Sequence, residues 1–223
     1  MPEVIPRREP LDRVRIVAAA VAFADEKGIG GLSMRKLGER LGVEAMSLYN
    51  HISNKRDLLA GMIDSVFAEI ELPTPVDSPH HWIDQLRRRS NSLRDALSRH
   101  PWAISLMDSS PTPGPHTLRH HDAVIGSLRA AGFSVDMTAH AFSAIDSYVY
   151  GFAMQEKSLP FETPEETTEL AQAILASFAE DTYPHLREMA LEHVLKPGYR
   201  YRDEFGLGLE ILLEGLENRR GPG

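Results

Sequence analysis

One short stretch concentrates side chains that suit recognition better than packing. Between Ala45 and His51 the chain reads Ala-Met-Ser-Leu-Tyr-Asn-His. At helical spacing Leu48 falls on one side, and Ala45, Met46, Ser47, Tyr49, Asn50 and His51 share the outer face. That face carries no full charge but is rich in hydrogen-bonding and aromatic groups. Such groups suit base edges, thymine methyls and phosphate oxygens of duplex DNA. Arg35, Lys36, Lys55 and Arg56 stand on either side and could meet the sugar-phosphate backbone. For each of these cations alone a solvated helix face is the better reading; the uncharged aromatic and amide row between them sets the stretch apart.

Other chemistry is thinly represented. His116 and His120 are four apart with His121 adjacent, a spacing that suits zinc on a helix, but no acidic third ligand lies at a recognisable spacing. The preferred reading is therefore bystander histidines and no cofactor. Cysteine is absent, which excludes thiolate metal sites, thiol catalysis and disulfides. No nucleophile elbow, phosphate-cradling glycine loop or dinucleotide fingerprint occurs, so an enzyme is not expected.

The recognition row needs a scaffold. Apolar residues recur three and four apart along almost the whole chain and no alternating strand pattern appears, so the expected class is all-α. A first helix is expected from Leu11 to Lys27, with Val14, Val17, Ala18, Val21 and Ala22 inward and Gly28 and Gly30 after it. Ser33 is an N-cap for a second, short helix, with Leu32 and Leu37 placed as a hydrophobic staple. Gly42 ends that helix, and a third runs from about Ala45 to His51. Two short helices about a glycine turn, with Leu37 and Leu41 facing Val43, Leu48 and Ile52, make a helix-turn-helix. Gly38 is the small residue that such a crossing needs. Ser53 then caps a longer fourth helix, Asn54 to about Ile70, which Leu72-Pro73-Thr74-Pro75 breaks.

Beyond that hinge, helices are expected near His81–Arg99, Pro101–Met107, His116–Ala131, Val135–Lys157, Pro164–Ala179 and Phe205–Asn218. Pro111, Pro113 and Pro115 mark a loop, and Pro184–Asp203 reads as partly disordered. The expected division is a DNA-binding domain over 1–58, a connecting helix and hinge over 59–75, and a C-terminal domain over 76–223.

Charge supports that division. The net charge is −8, yet residues 1–58 carry ten Lys/Arg against eight Asp/Glu, while residues 59–223 carry fourteen against twenty-four. A polyanion should meet the N-terminal end. The opening MPEVIPRREP lacks the apolar run of a signal peptide and no stretch reaches the length of a membrane span, so a cytoplasmic protein with no membrane partner is expected.

The segment LSMRKLGERLGVEAMSLYNHISNKRDLL resembles the DNA-binding region of the tetracycline-repressor (TetR) family. The matching residues are Gly42-Val43, Leu48-Tyr49-Asn50-His51 and Asn54-Lys55-Arg56-Asp57-Leu58-Leu59. The resemblance implies phosphate contacts from Tyr49 and Lys55, and puts Arg35, Ala45, Met46, Ser47 and His51 at or near bases. Ala45 replaces an amide side chain of relatives, so a different operator is implied. Asp146–Phe152 and Phe205–Glu210 are similar to the tetracycline-repressor branch and imply the two dimerisation helices. Read by itself, 135–157 is apolar almost all round and 205–216 is strongly apolar, which a monomer's surface would not tolerate. A homodimer is expected, with Phe152, Leu209, Leu212 and Leu216 at its interface, on pseudo-palindromic double-stranded operator DNA.

The resemblance also implies a repressor released by a small-molecule effector held inside the C-terminal helices. Arg89, Leu93, Trp102, Val124, Leu128, Asp146 and Tyr150 are the residues expected to line that site, although for each taken singly core packing is the stronger reading. Arg89 and Asp146 are the most informative, since charges on inner helix faces are costly unless paired or used. Glu71, Arg89, Leu93 and Val124 stand where the tetracycline-sensing pattern has His, Asn, Phe and Gln. An effector other than tetracycline is expected, larger in apolar area than in charge.

Overall fold

The computed structural model describes residues 10–74, 81–107 and 112–220, and these are helical with no strand among them. They pack as two units divided between Ala131 and Gly132. The first holds α1 (Arg13–Lys27), α2 (Met34–Leu41), α3 (Ala45–Leu48), α4 (Lys55–Phe67), α5 (Trp82–Arg99) and α6 (Pro115–Ala130). The second holds α7 (Val135–Ser158), α8 (Pro164–Ala176), α9 (Pro184–Met189) and α10 (Glu204–Glu217).

Local signals explain most boundaries in the first unit. Asp12 caps α1 by accepting from the Arg15 N–H at 2.8 Å. Ser33 accepts from the Lys36 N–H at 3.3 Å, and Leu32 and Leu37 are both buried, as a hydrophobic staple requires. Gly42 ends α2 at φ 68°, ψ 35°, the left-handed conformation that a glycine takes without steric penalty. Ser53 is not the cap of α4: Asn54 is, accepting from the Asp57 N–H at 3.0 Å. The Ser53 N–H instead donates to the Asp57 carboxylate at 2.8 Å, and Arg13 of α1 binds that carboxylate through both its terminal nitrogens, at 3.0 and 2.7 Å.

The face of α1 differs from the expected one. Ile16, Val17, Ala20 and Ala24 are buried, whereas Val14 is 77% exposed and Ala18 is exposed. An apolar run such as Val-Ala-Ala-Ala-Val-Ala-Phe-Ala gives no polar side to fix the helix phase. Contact with α4 settles it. On α4 the buried residues are Leu58, Met62, Ile63, Val66 and Phe67.

Asp64 of α4 faces the first turn of α6, where its Oδ1 accepts from the Thr117 N–H at 2.9 Å and the Thr117 hydroxyl at 3.1 Å. A carboxylate at a helix N-terminus satisfies orphan N–H groups and favours the dipole. Residues 71–74 are non-helical, as Pro73 requires; Pro75 and Pro111 of the expected hinge and loop lie outside the described residues. Pro101–Ala103 forms a 3₁₀ turn in place of a fuller helix.

In the second unit Ser134 caps α7, and Thr163 with Glu166 forms a capping box at the start of α8. The segment expected to be partly disordered is ordered: α9 runs on through a π-helical turn at Ala190–Val194, and a 3₁₀ turn at Tyr201–Asp203 leads into α10. Prolines and polar residues obscured its periodicity, yet Ala190 is buried and the π turn packs against α8. Tyr148 of α7 donates its hydroxyl proton to the Phe205 carbonyl at 2.8 Å, and its ring stacks on Phe205 at 5.4 Å.

Candidate nucleic-acid interface and effector-binding residues

The helix-turn-helix depends on close backbone approach. A Cβ on Gly38 would lie 2.8 Å from the Val43 carbonyl oxygen and 3.2 Å from the Ala45 nitrogen. Only glycine lets α2 cross this near to the start of α3. Leu37, Leu48 and Ile52 are fully buried beneath the crossing. With Leu48 anchored inward, the rest of the turn-and-helix is displayed. Met46 is 74% exposed, Tyr49, Asn50 and His51 are exposed, and Ala45 and Ser47 are half-buried. The regular helix ends at Leu48, three residues short of the expected end, and 49–51 continue as turns.

Arg35, Lys36, Lys55 and Arg56 are all exposed around this face. Arg35 pairs with Glu39 at 2.7 Å, and Lys36 donates to the Gly31 carbonyl at 3.2 Å. Lys55 donates to the Leu32 carbonyl at 3.1 Å, which ties the start of α4 to the approach of α2. The solvent-exposed Arg35–Glu39 pair contributes little net stability, so Arg35 exchanges partners at small cost.

Of the expected effector residues, Arg89, Leu93, Val124 and Leu128 are completely buried on α5 and α6 of the first unit. Asp146 and Tyr150 belong to α7 in the second unit, Asp146 buried and Tyr150 half-buried. Arg89 Nε donates to His120 Nε2 at 2.9 Å, so His120 accepts there and its neutral ring carries the proton on Nδ1. Burial first, then the Arg89 charge and neighbouring His121, push the His120 pKa down to about 2. The His116 and His120 pair does not share an environment: His116 is exposed, whereas His120 lies against Phe67 at 5.0 Å. No group of three potential metal ligands occurs among the described residues. Spacing alone could not pick out His120, because its partner lies 31 residues away.

Trp102 has a different anchor. Its indole N–H donates to Asp25 of α1 at 2.7 Å, so this side chain ties the end of α5 to the first helix. His100, Asp25 and Glu69 join the same cluster; none stood out in the sequence, where each reads as a surface polar residue. The sequence His-Pro-Trp after a long helix was the one available signal.

The residues expected at a dimer interface divide by face. Leu209 is fully buried, and Phe152 and Leu216 are nearly so, packed within the chain's own fold; Leu212 is half-buried. The apolar side chains displayed on the same helices are Met154 on α7 and Leu207 and Ile211 on α10, at 57%, 64% and 63% exposure. No helix of the described residues is long and apolar enough to cross a membrane.

Two family models match the chain. Residues 16–62 fit "Bacterial regulatory proteins, tetR family" and residues 74–220 fit "Tetracyclin repressor-like, C-terminal domain". An HTH-type transcriptional regulator of Saccharopolyspora erythraea is 35% identical over 99% of this chain and 91% of its own length. The HTH-type transcriptional repressor DrrR1 of Streptomyces coeruleorubidus is 31% identical, over 93% of this chain and 79% of its own. Among solved structures, the Streptomyces coelicolor TetR family protein ActR in complex with actinorhodin superposes with a TM-score of 0.81 at 27% identity, over 96% of this chain and all of that one. With a helix-turn-helix whose outer row is displayed for contact and both family models accounted for, this chain belongs to the TetR family of bacterial transcriptional regulators.

Proposed function

We propose that the protein is a repressor that binds a pseudo-palindromic operator as a homodimer and leaves it when a small molecule occupies the C-terminal helices. The observation that carries this reading is the displayed row Met46, Tyr49, Asn50 and His51, held out by buried Leu48 and flanked by four exposed cations. Lys36 and Lys55 position the protein on phosphates, together with Tyr49; Arg35, Ala45, Met46, Ser47 and His51 lie at or near the bases, with Asn50 on the same outer face. Residues 1–58 act as the reading head, 59–75 as the connection and 76–223 as the sensing and dimerising body.

One short helix reaches only a few base pairs, so two copies on successive major grooves supply operator-level discrimination. Met154, Leu207 and Ile211 are the apolar groups that support a partner contact beside Leu212, with Phe152, Leu209 and Leu216 buttressing it from within. Arg89, Leu93, Val124 and Leu128, all of the first unit, are proposed for the effector, and His120 orients Arg89. Glu71, Arg89, Leu93 and Val124 depart from the tetracycline pattern. ActR, bound to actinorhodin, supports the sensing role by similarity.

Selection of bound sequences from random duplex DNA, followed by footprinting, tests the proposal. Enrichment of an inverted repeat protected over two half-sites is expected. Absence of any enriched sequence would overturn it.

A further inference from the structure

His100 stands where the first helix, the end of the fourth and the end of the fifth meet. Its ring is 9% exposed, with Nδ1 2.8 Å from Asp25 Oδ1 and Nε2 3.0 Å from Glu69 Oε1. Asp25 belongs to α1 of the helix-turn-helix head, and Glu69 lies just past the end of α4. Arg99, beside His100, donates to the other Glu69 oxygen at 2.7 Å through Nη2 and 3.2 Å through Nε. The Trp102 indole donates to the same Asp25 oxygen that His100 faces.

Both ring nitrogens thus face carboxylate oxygens, and an ionised carboxylate only accepts. A neutral imidazole has one N–H, so it can satisfy Asp25 or Glu69 but not both. The doubly protonated ring satisfies both, and its charge balances a cluster of two carboxylates and one guanidinium. We propose that His100 is a proton-operated latch, which fastens α1 of the head to the ends of α4 and α5 when the ring is imidazolium and frees one attachment when it is neutral.

The donor logic also predicts how to jam the latch closed. In Glu69→Gln the amide nitrogen can donate to a neutral His100 Nε2, while the amide oxygen still accepts from Arg99. His100 Nδ1–H then continues to serve Asp25. Both attachments survive without a charged ring, and proton dependence disappears.

The test is hydrogen exchange of the full-length protein from about pH 5 to 8, the span over which histidines ordinarily change charge. It follows the Trp102 indole N–H and the last-turn amides of α1 on the Asp25 side, and the hydrogen-bonded amides of Ala68, Glu69 and Ile70 on the Glu69 side, corrected for the intrinsic pH dependence of exchange. Ring ¹⁵N shifts report the charge state of His100 in the same samples. In the wild type, protection on one of the two sides should fall by about tenfold as the ring loses its proton, the effect of one lost charge-assisted hydrogen bond. His100→Gln should show the weakened level at every pH, and Glu69→Gln the protected level at every pH. Wild-type protection that stays flat while the ring titrates, or a pH step that persists in Glu69→Gln, overturns the latch. Should His100→Gln fail to fold, the wild-type and Glu69→Gln profiles still decide.

Discussion

Replacing Gly38 by alanine sets two effects of known size against each other. In an isolated helix the change favours folding by about 1 kcal/mol, because glycine loses more backbone freedom. Here the added methyl would sit 2.8 Å from the Val43 carbonyl oxygen, 3.2 Å from the Ala45 nitrogen and 3.3 Å from its Cα. All three are backbone atoms at the turn of the helix-turn-helix, so no flexible side chain can move aside. Overpacking of this kind costs about 1–3 kcal/mol, and contact with backbone places it at the upper end. The net expectation is destabilisation of about 1–2 kcal/mol, or a fall of about 2–8 °C in the melting temperature of the 223-residue chain. Gly126 is the internal control: it is an exposed helical glycine with no neighbour within 4 Å of a built Cβ, so Gly126→Ala should stabilise by about 0.5–1 kcal/mol. Thermal melts followed by circular dichroism, with binding to a selected DNA sequence, measure both. A Gly38→Ala variant as stable as Gly126→Ala, with unchanged DNA affinity, would refute the close-crossing argument.

Lys55→Ala should weaken binding to every DNA sequence alike and reduce the salt slope by about one, measured by titration at several salt concentrations. Ile211→Glu should give monomers in sedimentation while preserving helical content; Leu209→Ala, at a fully buried position, should instead lower stability by about 2–5 kcal/mol in urea melts. Hydrogen bonds from Arg13 hold the Asp57 carboxyl below its ordinary pKa against the opposing effect of burial, with help from Ser53. The stability gained is therefore complete above about pH 4 and is lost as the pH falls through the lower folded value. Asp57→Asn should be less stable at neutral pH and show a shallower acid unfolding profile.

The helix-turn-helix was legible in the chain because its signals act over a few residues. Ser33 caps a nitrogen three positions on, Gly42 takes the one backbone conformation that ends the helix, and Leu48 turns inward so that its neighbours turn outward. Composition and period likewise determined the all-helical class. Tertiary structure decided what such rules leave degenerate. The uniformly apolar α1 had no preferred phase until α4 covered it, and α10 displays Leu207 and Ile211 while burying Leu209, although all three are equally apolar. The polar interior was hidden for a related reason. His120 meets Arg89 across 31 residues and His100 meets Asp25 across 75, and hydrogen-bond partners so distant in the chain are chosen by how helices pack, which no local spacing encodes.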